Sequence, residues 1–204
     1  LWAYDERVEA WIGGNSGQPK SGATTTGYYL KKYLDKNVSF KPSGVNNSRH
    51  VWVIFRYGEI LLNYAEAMNE AFGSPSYKDA TFTLSAVEAI NLIRKRTGVA
   101  LIAIPTTISK DDFRAKVRNE RRVELAFEDH RFWDIRRWMI GPETVAIKRT
   151  KIERNPTNGT FTYSTYTTNE RVWDDKYYYY PIPMSERYKN SNLTQNPGWK
   201  TFDE

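Results

Sequence analysis

Cysteine is absent from the 204 residues, which excludes disulfides, thiolate metal sites and cysteine nucleophiles but leaves the compartment open. Long apolar runs are absent too: no stretch reaches the roughly 18 residues of a membrane-spanning helix, and no signal-peptide pattern follows Leu1. Histidine occurs only at 50 and 130, without the His-x-x-x-His spacing of a metal pair, so His130 reads as a hydrogen-bonded structural group. Gly-x-Ser-x-Gly, phosphate-loop and dinucleotide fingerprints are all missing. No Lys/Arg block is longer than Arg94-Lys95-Arg96, and the formal net charge of +6 is interleaved with 24 acids. That distribution describes a solvated surface and gives little support to a nucleic-acid partner.

What is present is globular in balance, with 40% hydrophobic and 26% charged residues. Aromatics reach 15%, including seven Trp and fourteen Tyr, enough flat apolar surface to build a core or to stack on sugar rings. The length suits a single domain over 1–204. Within it, 1–48 is loop-rich, 49–140 is a helical core, and 141–204 is a loop, hairpin and C-terminal segment.

The apolar spacing of Ile54, Gly58, Leu61, Ala65, Met68 and Phe72 predicts a helix from about Trp52 to Phe72, ended by Gly73-Ser74-Pro75. Ser85 and Glu88 have capping-box spacing and open a second helix that runs towards Gly98. Ala65, Ala67, Ala71, Ala86 and Ala89 allow the two to approach as a helical hairpin. Ser109 with Asp111 and Asp112 starts a third helix, to about Phe127. A short fourth covers 130–140 and stops at Gly141-Pro142. Alternation within 148–172 predicts a β-hairpin turning near Asn158-Gly159. Short strands are expected around Arg7–Ile12 and Gly27–Tyr33, with an edge strand at Tyr177–Tyr180.

Residues 119–138 mix helical apolar spacing with dense charge. Val117, Glu120, Val123, Glu124 and Phe127 share one face, so a carboxylate points inward there and needs a partner. Arg118, Arg121, Arg122 and Arg131 are the nearest candidates. Glu120, Glu124, Glu128, Asp129 and Asp134 are numerous enough for the two carboxylates of a glycoside hydrolase. Arginines at helical spacing would instead keep such acids ionised. Glu120, Arg121, Glu124, Arg131 and Asp134 are therefore assigned a structural role, and a carbohydrate-active hydrolase is kept as the alternative. No catalytic residue, metal ligand or cofactor is expected.

Trp52, Phe55, Tyr57, Tyr64, Phe113, Phe127, Phe132, Trp133 and Trp138 fall on helical patterns and are assigned to the core. Trp2, Tyr4, Trp11, Tyr28 and Tyr29 instead lie among Gly, Asn, Ser and Gln. Loop aromatics beside amides suit a sugar, the ring meeting its C–H face and the amides its hydroxyls. They equally suit anchors that pin long loops. Tyr163, Tyr166 and Trp173 form a second candidate platform.

Trp52–Asn69, the Ala89–Gly98 helix, the 119–138 segment, Tyr-Pro-Ile-Pro at 180–183 and Asn-Pro-Gly-Trp at 196–199 occur together in one order. With these in view the chain resembles the C-terminal part of the SusD/RagB family over most of residues 24–200. Gly58 stands where Ala is usual, and Asp129 where Gly is common before the histidine. The resemblance implies a mainly α, SusD-like fold of helical hairpins with long loops and minor β-structure. It also implies that this is part of a longer protein whose N-terminal half is a helical-repeat scaffold bearing a lipid anchor. The implied role is capture of an oligosaccharide, polysaccharide or other nutrient by an outward-facing outer-membrane lipoprotein, without bond breakage. The implied partner is a SusC-like TonB-dependent transporter.

Overall fold

The computed structural model describes residues 8–35, 37, 38, 44, 47, 48 and 51–200. The chain forms two compact units, one from Val51–Trp133 and one from Leu1–His50 with Asp134–Glu204. It is mainly helical among the described residues, with one two-stranded sheet.

The first unit contains α1 (Tyr57–Phe72), α2 (Ala86–Arg94) and α3 (Lys110–Glu124). Leu62, Ala65, Val87, Ala89, Ile90, Phe113 and Val117 meet in its core. The small Ala65, Ala86 and Ala89 are fully buried, so the α1 and α2 backbones approach closely. The capping box forms as the sequence predicts, Glu88 N donating to Ser85 Oγ (3.2 Å) and Ser85 N to Glu88 Oε2 (2.8 Å). Ser109 accepts from Asp112 N at the start of α3. Buried Asn91 uses both ends of its amide on one residue, donating to Ile104 O (2.9 Å) and accepting from Ile104 N (2.8 Å). That pair ties the segment after α2 back onto the helix.

Four helix boundaries differ from expectation. α2 stops at Arg94 short of Gly98, and the fourth helix stops at Arg137 short of residue 140. α1 begins at Tyr57, because Arg56 is extended (φ −148°, ψ 162°) and residues 51–56 carry no helix. α3 stops at Glu124 rather than Phe127, since Phe127 (φ 62°) and Asp129 (φ 61°) turn the chain through the left-handed region. Asp129 occupies the position where glycine is common, and aspartate is among the residues that tolerate that conformation.

Much of the aromatic core assignment is overturned, in part by these boundaries. Phe113 and Trp138 are buried, and Tyr64 packs on the core with its hydroxyl donating to Leu84 O. Trp52 (77% exposed), Phe55, Tyr57, Phe127, Phe132 and Trp133 are exposed. Val123 is exposed as well, so Val117 and Glu120 point inward without Val123 and Phe127. For Trp52, Phe55 and Phe127 the helical period is extrapolated beyond the true helix end, whereas Tyr57, Val123, Phe132 and Trp133 lie within helices on exposed faces.

α4 (His130–Arg137) follows, and the second unit is built on a hairpin of β1 (Ala146–Arg154) and β2 (Phe161–Glu170). The strands are antiparallel, with Arg154 opposite Phe161, Ile152 opposite Tyr163 and Arg149 opposite Tyr166, and a register shift at Ile147/Lys148. Asn155 N donates to Thr160 O (2.8 Å), and Gly159 adopts φ 72° in the turn. Residues 8–12 and 27–33 are turns and irregular backbone instead of strands, and Arg7 lies outside the described residues. Tyr177–Tyr180 is not an edge strand either: Asp174 accepts from Lys176 N (3.0 Å) and starts a 3₁₀ turn over Asp175–Tyr178.

The last segments close on one another, α5 (Met184–Lys189) lying between them in sequence. Gln195 mimics a paired strand against Ile182, accepting from its N–H (2.8 Å) and donating to its carbonyl (3.2 Å). Trp199 Nε1 donates to the carbonyls of Lys176 and Tyr179, each at 3.1 Å. Gly141 lies against the Trp173 indole where no Cβ fits. The Tyr-Pro-Ile-Pro and Asn-Pro-Gly-Trp motifs thus meet as a structural clasp.

Candidate ligand-binding surface

The loop before residue 35 is laid along the free edge of β1. Ile12 N donates to Ile152 O (2.9 Å), and Thr150 N donates to Thr26 O (3.0 Å). Backbone groups that an edge strand would leave open are thereby covered. Gly27, at φ 82°, passes so close to the Thr150 carbonyl that a Cβ would collide with it.

Successive strand residues point to opposite faces. Lys148, Thr150, Ile152 and Arg154 of β1 therefore share a face with Phe161, Tyr163, Thr165 and Thr167 of β2. Half-buried Trp11 seats on this face, its ring centroid 5.3 Å from that of Phe161 and the Arg154 guanidinium 5.8 Å from its centre. The indole also meets the loop itself, since a Cβ on Gly14 would stand 3.0 Å from it. Of the two roles open to Trp11, its contacts are those of an anchor.

Tyr28 and Tyr29 are held by their hydroxyls while their rings remain open. Tyr28 Oη shares a 2.6 Å hydrogen bond with Thr150 Oγ1. Tyr29 Oη donates to Ser16 O (2.6 Å) and accepts from Thr24 N (3.1 Å). Tyr28 is 66% exposed, Tyr29 43% and Tyr163 54%. Gln18 reaches the Ala23 and Thr24 carbonyls from the same loop. A tyrosine fixed at its hydroxyl has little rotamer entropy left to lose when its ring is covered.

Trp11, Tyr28 and Tyr29 are thus gathered by one loop, whereas Trp2 and Tyr4 lie outside the described residues. The second platform does not assemble. Tyr163 and Tyr166 are on opposite faces of the hairpin, and Trp173 packs with Tyr177 and Tyr178. Thr150, Arg154 and Phe161 were not singled out from sequence; alternation along two paired strands marks them, once the register is known.

The helical acids form a separate constellation. Glu124 takes Arg56 Nη1 (2.7 Å) and Arg96 Nη2 (2.7 Å), and Arg56 Nε also reaches Glu128 (2.9 Å). Gly58 leaves room for this fork, since a Cβ there would stand 2.6 Å from Arg56 Nη1. Buried Glu120 pairs with Arg94. These guanidiniums come from outside α3, not only from its own turns. Burial opposes ionisation of Glu124, yet Arg96 and Arg56 hold it below the usual carboxylate range. Buried Arg121 donates to Asn63 and lies 3.4 Å from His130 Nδ1, whose Nε2 is 3.5 Å from Glu59. Arg131 is half-buried on α4, and buried Asp134 accepts from Arg137 Nε (2.8 Å). No group of three or more metal-ligating side chains occurs among the described residues.

Helical hairpins with long loops and a minor sheet define the architectural class, and the relatives agree. The chain is 31% identical over 163 residues to SusD-like protein P2 of Formosa agariphila, a match covering 76% of this chain and 28% of that protein. It is 34% identical over 112 residues to SusD-like protein P38 of the same organism, covering 52% and 20%. The crystal structure of a SusD-like protein from Bacteroides fragilis is similar with a TM-score of 0.63 at 32% identity, over 90% of this chain and 33% of that one. The chain belongs to the SusD family, matching it over residues 2–199. It spans between a fifth and a third of the length of these relatives.

Proposed function

We propose that this chain contributes to capture of a glycan or similar nutrient, holding it by aromatic stacking and hydroxyl hydrogen bonds without breaking a bond. The observation that carries this reading is the loop of Tyr28 and Tyr29, pinned to the hairpin by Trp11 and the Tyr28 hydroxyl and braced internally by the Tyr29 hydroxyl, while the rings stay open. Rigid aromatic faces beside amides and hydroxyls are the chemistry of sugar recognition. Family membership supports the same reading. It also supports a place on the outward face of the outer membrane through a lipid anchor, with hand-off to a SusC-like TonB-dependent transporter. No helix among the described residues is long and apolar enough to cross a membrane.

Hydrolysis is the competing class. A general acid needs a raised pKa, and the Glu124 carboxyl is shifted the other way by two arginines. The test is a titration with soluble glycans followed by tryptophan fluorescence and by assay of released sugar. Saturable binding without product supports capture, and product release turns the assignment to the helical carboxylates.

A further inference from the structure

We infer that the hairpin face beneath the tyrosines selects an acidic saccharide, one bearing carboxylate or sulfate, over a neutral one. The inference rests on the reading of that surface as a sugar platform and deepens it. The face carries Lys148 at one end and Arg154 at the other, both exposed, with hydroxyl and aromatic groups between them. Six residues of strand separate the two cations by about 20 Å, a span suited to a chain with repeated charges rather than to one small anion.

Neither cation meets a carboxylate among the described residues. Of the acids nearby, exposed Glu170 lies opposite Ala146 at the Lys148 end and forms no ion pair with Lys148, and two others are engaged elsewhere. Glu153 points to the opposite face by alternation and pairs with Lys151 (2.7 Å). Glu9 accepts from Asn15 N (2.8 Å). The Arg154 guanidinium itself lies over the Trp11 ring at 5.8 Å, a cation–π contact that steadies its plane while the N–H donors at its edge meet no carboxylate among the described residues. A guanidinium so placed binds carboxylate or sulfate by paired charge-assisted bonds. A neutral sugar offers it only uncharged hydroxyls, whose hydrogen bonds are weaker than those of an anion. The surface therefore combines a stacking surface, which any pyranose fits, with cations that favour an anionic one.

The experiment compares matched ligands on this chain: polygalacturonate against its methyl ester, and dextran sulfate against dextran. Three proteins are used: the unchanged chain, the Lys148→Gln/Arg154→Gln pair, and a control pair, Lys95→Gln/Lys116→Gln, on the helical unit. Circular dichroism checks that each is folded. The expected result is binding at least about tenfold tighter for the acidic member of one ligand pair. That preference should weaken with added salt, vanish in the hairpin variant and persist in the control. Equal affinity for acidic and neutral members overturns the acidic preference while leaving the sugar platform standing. A preference unchanged in the hairpin variant, or lost equally in the control, assigns it to general positive charge and also overturns the inference. Absence of binding to all four ligands contradicts the platform and the preference together.

Discussion

Glu124 draws guanidiniums from two distant points of the sequence, Arg56 before α1 and Arg96 after α2. Removing its carboxylate leaves both arginines facing one another without their shared anion. Glu124→Ala is therefore expected to destabilise the helical unit by about 3 kcal/mol, as is Arg121→Ala, which strips a buried guanidinium from Asn63. Urea denaturation reads both, and a change below about 0.5 kcal/mol would contradict the structural role. Glu88 makes a separate prediction in pH. The Lys78 ammonium, then the Ser85 N–H, lowers its carboxyl from 4.5 to about 2. The folded value lies below the unfolded one, so its stabilising contribution is complete above about pH 4.5 and is lost as pH falls towards 2. The denaturation midpoint should drop through that window, and Glu88→Gln should flatten the drop. An identical pH profile in the variant would exclude the Glu88 carboxylate as its source.

At the level of elements, the loop of residues 8–30 depends on the hairpin for its shape. Trp11→Ala removes the ring that seats on Phe161, so proteolysis within that loop should accelerate while the helical unit keeps its denaturation midpoint. Cleavage at the unchanged rate would make Trp11 dispensable as an anchor. Gly141→Ala inserts a methyl group into the Trp173 indole and should cost about 1–3 kcal/mol by overpacking. What could be read in advance follows from how local each signal is. The Ser85–Glu88 box and the Asn158-Gly159 turn are complete within a few residues, and both form as the sequence predicts. Residues 51–56 keep an apolar rhythm that continues α1 on paper. Their fate is decided by the extended Arg56, whose side chain reaches carboxylates on and beyond α3. Tyr177–Tyr180 reads as strand by composition, yet one Asp174 side chain sets a turn. The juxtaposition of Trp11 with Phe161 and of Tyr28 with Thr150 needs the strand register and a distant loop, and neither is encoded in local spacing.

For the molecule as a whole, the motifs that tie the chain to its family and the residues that would meet a ligand are different sets. The Tyr-Pro-Ile-Pro and Asn-Pro-Gly-Trp segments hold one another through Gln195, Asn196 and Trp199. Glutamates of the Arg-rich helix brace the helical unit by pairing with arginines from outside it. Both are architectural, which is why the family was legible from sequence while the ligand surface was not. Tyrosines on a loop carry no pattern that separates a stacking surface from an anchor; exposure and hydroxyl partners do. The central claim is that Tyr28 and Tyr29 present a preformed sugar platform. The most direct test titrates a glycan panel, acidic and neutral, into the unchanged chain and into the Tyr28→Ala/Tyr29→Ala variant, with released sugar assayed in parallel. The account predicts saturable binding without product, weakened at least about tenfold in the variant, each lost stacking contact costing about 1 kcal/mol or more, at an unchanged melting temperature. Equal binding by both proteins, or sugar released by the unchanged chain, would contradict it.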